Sequence, residues 1–204
     1  MSAHGAASPM EPAELADRRA VLSASSSVTG MTLFVASEAV FFAAFFGVYA
    51  SSYTAAADWP PAGAATPPLI LPSLGVAVLV ASAVTMAVGL RTLHRPSYPR
   101  ALTPWLIGTG LGAAAFTALT AAGLLELNMD ISAGIYETLF YVLLGLELAH
   151  AVGGLALLGL VGVRAWTGEL ALRRDPVQAA AIYWYFVVGL GVAMYVVLYL
   201  GAIR

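Results

Sequence analysis

Three ionisable side chains stand inside long apolar runs of this sequence: Glu38, Glu147 and His150. Their neighbours are residues such as Ala, Val, Leu and Phe, among which a charged group is costly unless it is paired or neutral. A carboxyl or imidazole group in such a place can bind and release a proton. It can also join two helices through a buried hydrogen bond. We predict a proton-related or a structural role for each residue, and the sequence leaves the choice open.

Glu147 and His150 are three positions apart, so on a helix they share one face. A helix rises about 1.5 Å per residue. Measured from the cytoplasmic ends of their helices, both residues and Glu38 therefore lie deep in the membrane. We therefore expect either a buried cluster of Glu38, Glu147 and His150 or a structural pair of Glu147 with His150. Glu-x-x-His is also half of a di-iron helix motif, but the second copy that the motif requires is missing from this sequence.

The residue content excludes several kinds of chemistry. The chain has no cysteine, which rules out thiolate metal centres and cysteine nucleophiles. Of its three histidines, His4 and His94 lie outside the apolar runs, so the chain cannot build an intramembrane centre of two haems and a copper. We predict no catalytic residue, no cofactor site and no metal site. A net charge of −2 without any lysine argues against nucleic acid as a partner.

The composition is that of an integral membrane protein. Of the 204 residues, 60% are apolar and 10% are charged, whereas soluble domains are about 45–50% apolar and about 25% charged. Five apolar runs each exceed the roughly 20 residues that cross a bilayer, and helices satisfy their own backbone groups there. We predict an all-α bundle of five transmembrane helices in one domain, 28–204. The predicted spans are 28–53, 68–93, 103–126, 134–164 and 177–203, after a polar N-terminal tail at 1–27 that is flexible or partly helical.

The arginines predict how the bundle is oriented. All nine basic residues are arginine, and only Arg204 falls on the opposite side from the others in a five-helix alternation. Basic residues accumulate on the cytoplasmic side of membrane proteins. We therefore predict a cytoplasmic N-terminus and a C-terminus outside. The expected location of this multi-pass protein is the cell's inner (plasma) membrane.

Other residues are expected at the membrane surfaces or between helices. Glu126 and Glu137 flank the third loop, where solvated charge explains both. Glycines along the fourth run, such as Gly153 and Gly154, favour close contact between helices. Six aromatic residues lie toward the ends of the runs, as in an interfacial belt: Trp59, Trp105, Tyr136, Trp166, Tyr183 and Trp184.

Several short motifs, in this order along the chain, resemble subunit III of the haem-copper oxidases, the family of cytochrome c and quinol oxidases. The run 37–42, which contains Glu38, resembles the family's Ser-Glu-x-x-Phe-Phe. The run 145–154, which contains His150, resembles a Gly-Phe-His-Gly-x-His-Val stretch. Further similar segments are 59–61, 131–136, 140–141 and 183–187. The likeness covers about residues 30–204.

The resemblance implies a five-helix short form that matches the last five of the seven helices in longer members. Such a chain is a non-catalytic subunit that packs against subunit I, which carries the haem and copper, in a hetero-oligomeric complex with subunit II and membrane lipids. In the family, the glutamate that matches Glu38 reacts with hydrophobic carbodiimides. It is associated with proton uptake and with protection of the catalytic subunit during turnover. The expected function is a stabilising subunit of a terminal oxidase that supports its proton uptake.

Departures from the family pattern leave other functions open. Glu147 stands where the family has its first histidine, and Tyr185, Val188 and Gly191 replace the His, Asp and Trp of the last helix. Thr120 replaces a glutamine. These changes are typical of a divergent branch. The alternatives are an accessory subunit of a nitric oxide reductase, a stand-alone proton pathway and a membrane anchor.

Overall fold

The computed structural model describes residues 12–64, 67–95, 98, 100–127, 129–171 and 174–201, and it describes side chains from Ser26 onward except that of Ala171. These residues form helices and no strand. The helices are α1 (Pro12–Ala55), α2 (Ile70–Arg91), α3 (Thr103–Glu126), α4 (Ile135–Trp166) and α5 (Asp175–Met194), and α5 continues as a π-helical segment, Tyr195–Leu200. Short 3₁₀ turns, Thr92–His94 and Glu169–Ala171, follow α2 and α4.

The predicted bundle of five membrane-spanning helices is confirmed. Five helices in the described part of the chain are long and apolar enough to cross a membrane. The first, Ser26–Ala55, and the fourth, Ile135–Trp166, agree within two residues at each end with the predicted spans. Residues 202 and 203 of the predicted fifth span lie outside the described residues. Pro104 and Pro176 stand in the first turns of α3 and α5, where a missing N–H group costs nothing.

The predicted polar tail is helical over part of its length, because α1 begins at Pro12 and runs without a break into the first span. Residues 1–11 of that tail lie outside the described residues. The boundary that we place between tail and membrane domain, at residues 27 and 28, stays a prediction.

Helix α5 lies at the centre of the bundle and contacts α1, α2 and α4, while α3 packs against α2 and α4. The first helix is peripheral. Of the side chains described for α1, only Phe42 and Tyr49 are buried, and the helix packs against α5 and, less extensively, α4. Helix α4 therefore contacts α1, α3 and α5.

Small residues let the helices approach closely around a buried tryptophan. A Cβ atom added at Gly154 of α4 would lie 2.9 Å from Cε3 of Trp184 in α5. The Trp184 side chain is fully buried, and its Nε1–H donates to Oγ of Ser82 in α2 at 3.0 Å. In this way one side chain of α5 connects α4 with α2.

The prediction of an interfacial aromatic belt is wrong for three of the six residues. Trp184 and Tyr136 are 0% exposed and Tyr183 is 8% exposed, whereas Trp166 is 89% exposed. These three residues lie in core clusters. Proximity to the end of an apolar run does not distinguish a buried aromatic ring from an interfacial one, because both have an apolar body and a polar atom.

Candidate functional site

Glu38 and His150 form a hydrogen-bonded pair between α1 and α4. His150 Nε2 lies 3.1 Å from Glu38 Oε2, and the side chains are 13% and 23% exposed. Each residue lies near the middle of its span, Ser26–Ala55 for Glu38 and Ile135–Trp166 for His150. The structure therefore brings together two of the three ionisable residues that the sequence singles out.

The second ring nitrogen of His150 defines the protonation of this pair. His150 Nδ1 lies 2.8 Å from the carbonyl oxygen of Leu146, one turn earlier in α4. A carbonyl oxygen only accepts, so Nδ1 must carry a proton and donate. The hydrogen bond between Nε2 and Oε2 then needs one proton, which belongs either to the Glu38 carboxyl or to the imidazole. In both forms the pair has no net charge, which limits the cost of placing it in hydrocarbon.

Aromatic rings enclose His150 on the sides that Glu38 leaves open. The Phe42 ring meets the imidazole edge-on at a centroid distance of 5.1 Å, and the Phe186 ring does so at 6.1 Å. The Tyr183 ring stacks at 6.4 Å, and its hydroxyl donates to the carbonyl oxygen of His150 at 3.1 Å. Sequence reasoning missed Tyr183 as part of the site, because a contact with α5 has no signature in the spacing of residues along α4.

Glu147 lies apart from the pair, so neither the cluster of Glu38, Glu147 and His150 nor the alternative pair of Glu147 with His150 is formed. The Glu147 side chain is 2% exposed, and neither carboxyl oxygen has a hydrogen-bonding partner among the described residues. Three helical positions correspond to a rotation of about 300°, which leaves the two side chains about 60° apart around the helix axis. Since different helices lie on the two sides of α4, this difference directs His150 to Glu38 and Glu147 to Gly191 of α5.

The two glutamates beside the third loop differ from each other. Glu126 is exposed, as expected for solvated charge, but Glu137 is 7% exposed, so the expectation is wrong there. Glu137 belongs to the first turn of α4, where the free N–H groups at a helix N-terminus favour a carboxylate. Within the loop, Ser132 donates its backbone N–H and its hydroxyl to Oδ1 of Asp130, and these bonds lower the pKa of Asp130.

The described residues contain no group of three or more His, Cys, Asp or Glu side chains that could hold a metal ion. His150 cannot serve as a ligand in the observed arrangement, because both of its ring nitrogens already take part in hydrogen bonds. The chemistry available to this site is the holding and transfer of a proton.

Comparison with known proteins identifies the family. The family model for cytochrome c oxidase subunit III matches residues 16–203. The chain is 31% identical over 177 residues to cytochrome c oxidase subunit 3 of Lumbricus terrestris, covering 83% of this chain and 68% of that protein. It is 34% identical over 178 residues to the subunits named in the same way from Pan troglodytes and Homo sapiens, covering 83% of this chain and 67% of each relative. The chain therefore belongs to the cytochrome c oxidase subunit III family, and it is a multi-pass membrane subunit of a haem-copper oxidase complex.

Proposed function

We propose that this subunit stabilises subunit I of a respiratory haem-copper terminal oxidase and supports its proton uptake during electron transfer to oxygen. The observation that carries the proposal is the pair of Glu38 and His150, which holds one proton in the middle of the spanning bundle. A proton that moves between Glu38 Oε2 and His150 Nε2 leaves the charge of the pair unchanged. Releasing a proton to a neighbouring group changes the charge of the pair by one, so the pair stays neutral in lipid only if another proton replaces the one that it releases.

The position of Glu38 supports a role toward a partner. Its side chain is 23% exposed, and it lies on the peripheral helix α1. His150 lies behind it and is held by Leu146 and Tyr183. In the proposed role, Glu38 is the group that faces the adjoining subunit or lipid, and His150 is its proton-sharing support.

The haem and copper of the proposed enzyme belong to subunit I. The described residues of this chain do not fit these groups, since its one intramembrane histidine has both nitrogens engaged. We place subunit II in the same complex, with lipids around the helices. This subunit contributes packing and proton handling.

We propose that the N-terminus is cytoplasmic, the C-terminus is outside, and the membrane is the inner (plasma) membrane. The distribution of arginine along the chain supports this orientation. In addition, the Arg174 guanidinium lies 5.7 Å from the ring centroid of Tyr98, a contact between the fourth and second loops at one end of the bundle. At the opposite end, the rings of Trp59 and Tyr136 meet at 5.3 Å.

The test is purification of the complex in mild detergent through a tag on the N-terminus, with wild type and Glu38→Gln side by side. We expect a haem spectrum and larger co-purifying membrane chains. We also expect an initial rate of oxygen consumption close to wild type for Glu38→Gln, with slower proton uptake or earlier inactivation during turnover. Glu126→Gln is the matched control, because Glu126 is exposed at the end of α3.

Unchanged uptake, lifetime and assembly in Glu38→Gln would overturn the role given to the pair. Consumption of nitric oxide and not oxygen by the purified complex would identify a nitric oxide reductase. A colourless protein that purifies alone would contradict the proposal, and proton flux in vesicles with this chain alone would then separate a proton pathway from an anchor.

A further inference from the structure

Glu147 is a buried polar group that the proposed function leaves unused. Its carboxyl oxygens have no hydrogen-bonding partner among the described residues, although the side chain is 2% exposed. An unsatisfied buried polar group costs about 1–3 kcal/mol, and buried polar atoms without a protein partner commonly bind water. A water molecule bound to this carboxyl group would therefore remove an energetic cost.

A cavity lies beside Glu147, between α2, α3, α4 and the end of α5. The volume in which the centre of a water-sized sphere fits is about 30 Å³. One buried water requires roughly 10–15 Å³ measured in the same way, so the cavity has room for water. Most of the wall is apolar, but Thr120 and Tyr195 also line it. The Tyr195 hydroxyl is 2.7 Å from Oγ of Ser73, so one member of that hydroxyl pair donates to the other and both keep accepting capacity.

The glycine at position 191 makes this arrangement sterically feasible. A Cβ atom there would lie 2.9 Å from Oε1 of Glu147 and 2.6 Å from Cδ2 of Leu79. Gly191 and Glu147 both line the cavity. Glu147 and Gly191 are two positions at which this sequence departs from the family pattern, and the structure places them in contact.

The charge environment favours a neutral carboxyl group. No basic side chain is among the described residues that line the cavity, and His150 faces Glu38 on another side of α4. The other titratable groups along the wall are Tyr195 and Tyr199, which carry no positive charge. A carboxylate without a counter-ion is far more costly here than the neutral acid, which offers one O–H donor and one C=O acceptor.

We propose that the cavity beside Glu147 is a hydration site, in which the neutral carboxyl group binds about one or two water molecules that also contact the hydroxyl groups of Thr120 and Tyr195. The bound water accepts a hydrogen bond from the carboxyl O–H group and donates to the carboxyl C=O oxygen and to a hydroxyl oxygen. The site is separate from the Glu38–His150 pair, and its existence does not depend on the enzyme to which the subunit belongs.

Infrared spectroscopy of the purified complex tests the protonation and the hydrogen bonding together. We expect a carboxylic-acid C=O stretching band that disappears in Glu147→Gln and persists in Glu38→Gln. The band should have the lowered frequency of a hydrogen-bonded acid, and it should shift when the sample is exchanged into D₂O. In Gly191→Ala, where the added methyl group occupies space beside Oε1, we expect a shift to higher frequency as water is displaced.

Two spectroscopic outcomes would overturn the proposal. A Glu147 band at the frequency of a free carbonyl would mean a dry carboxyl, and the absence of any acid band assigned to Glu147 would mean a charged one.

A measurement on the wild-type complex alone covers the case in which Glu147→Gln does not assemble. Density for water between Glu147 and Thr120 in a cryo-EM map of the wild-type complex would support the site. An empty position, in a map that resolves other buried waters, would refute it.

Discussion

His150 Nε2 lies 3.1 Å from Glu38 Oε2, although the two residues are 112 positions apart in the chain. The contact joins α4 to the peripheral helix α1, in which only Phe42 and Tyr49 are buried among the described side chains. The pair is one of several contacts that attach α1 to the bundle: the Phe42 ring lies 6.2 Å from the Phe186 ring, and the Tyr49 hydroxyl donates to the carbonyl oxygen of Val197 at 3.4 Å.

We expect the pair to be energetically coupled. Replacing Glu38 with Ala leaves His150 Nε2 without its partner, and the expected cost is about 1–3 kcal/mol. The double variant Glu38→Ala/His150→Ala should cost less than the sum of the single variants, because the second change removes the unpaired group. Denaturant unfolding of the detergent-solubilised chain measures the four free energies, and additive values would contradict the coupling.

The two intramembrane glutamates should differ in their reaction with an apolar carbodiimide. The reagent adds to a protonated carboxyl group and needs room to approach it. The Glu38 side chain is 23% exposed, whereas the Glu147 side chain is 2% exposed. We expect dicyclohexylcarbodiimide to modify Glu38 alone, as read by mass spectrometry of peptides from the intact complex. Glu38→Gln should abolish the labelling, and an adduct on Glu147 would show that its surroundings open.

Close contact between α4 and α5 makes Gly154 sensitive to substitution. In Gly154→Ala the new methyl group would lie 2.9 Å from Cε3 of Trp184, a ring that is fully buried and cannot move aside freely. Overpacking of this kind costs about 1–3 kcal/mol. Gly159→Ala is the matched control on the same helix, since its Cβ has no atom within 4 Å. Thermal unfolding should show a loss for Gly154→Ala only, and equal melting temperatures would argue against the packing described.

The hydrogen bond from Trp184 Nε1 to Ser82 Oγ should stabilise the contact of α5 with α2. Ser82→Ala leaves the buried indole N–H without an acceptor, and we expect a loss of about 1–3 kcal/mol. In a Trp184→Phe background the same change should cost clearly less, because the donor is already gone. The four melting temperatures measure this difference, and an equal effect of Ser82→Ala in both backgrounds would mean that the bond contributes nothing.

Part of the candidate site could be predicted from the sequence. Glu38 and His150 were recognisable because an ionisable residue in the middle of a long apolar run is costly and therefore informative. The partner of each residue was not recognisable. Glu147 and His150 have the spacing of a same-face pair, yet they face different neighbours. Tyr183 and Trp184 resemble interfacial residues in sequence, but both are buried in the bundle.

The sequence by itself determined that five helices are long and apolar enough to span the membrane and, to within a few residues among those described, where each spanning segment begins and ends. The reason is that crossing a bilayer depends on the length and hydropathy of one continuous segment, which neighbouring helices do not change. Only the tertiary structure decided which buried polar groups meet. That outcome depends on the rotation of each helix about its own axis, about 100° per residue. Contacts such as that of Gly154 with Trp184 restrict this rotation. In the resulting orientation of α4, His150 lies against Glu38, and Glu147 lies against Gly191 beside the cavity.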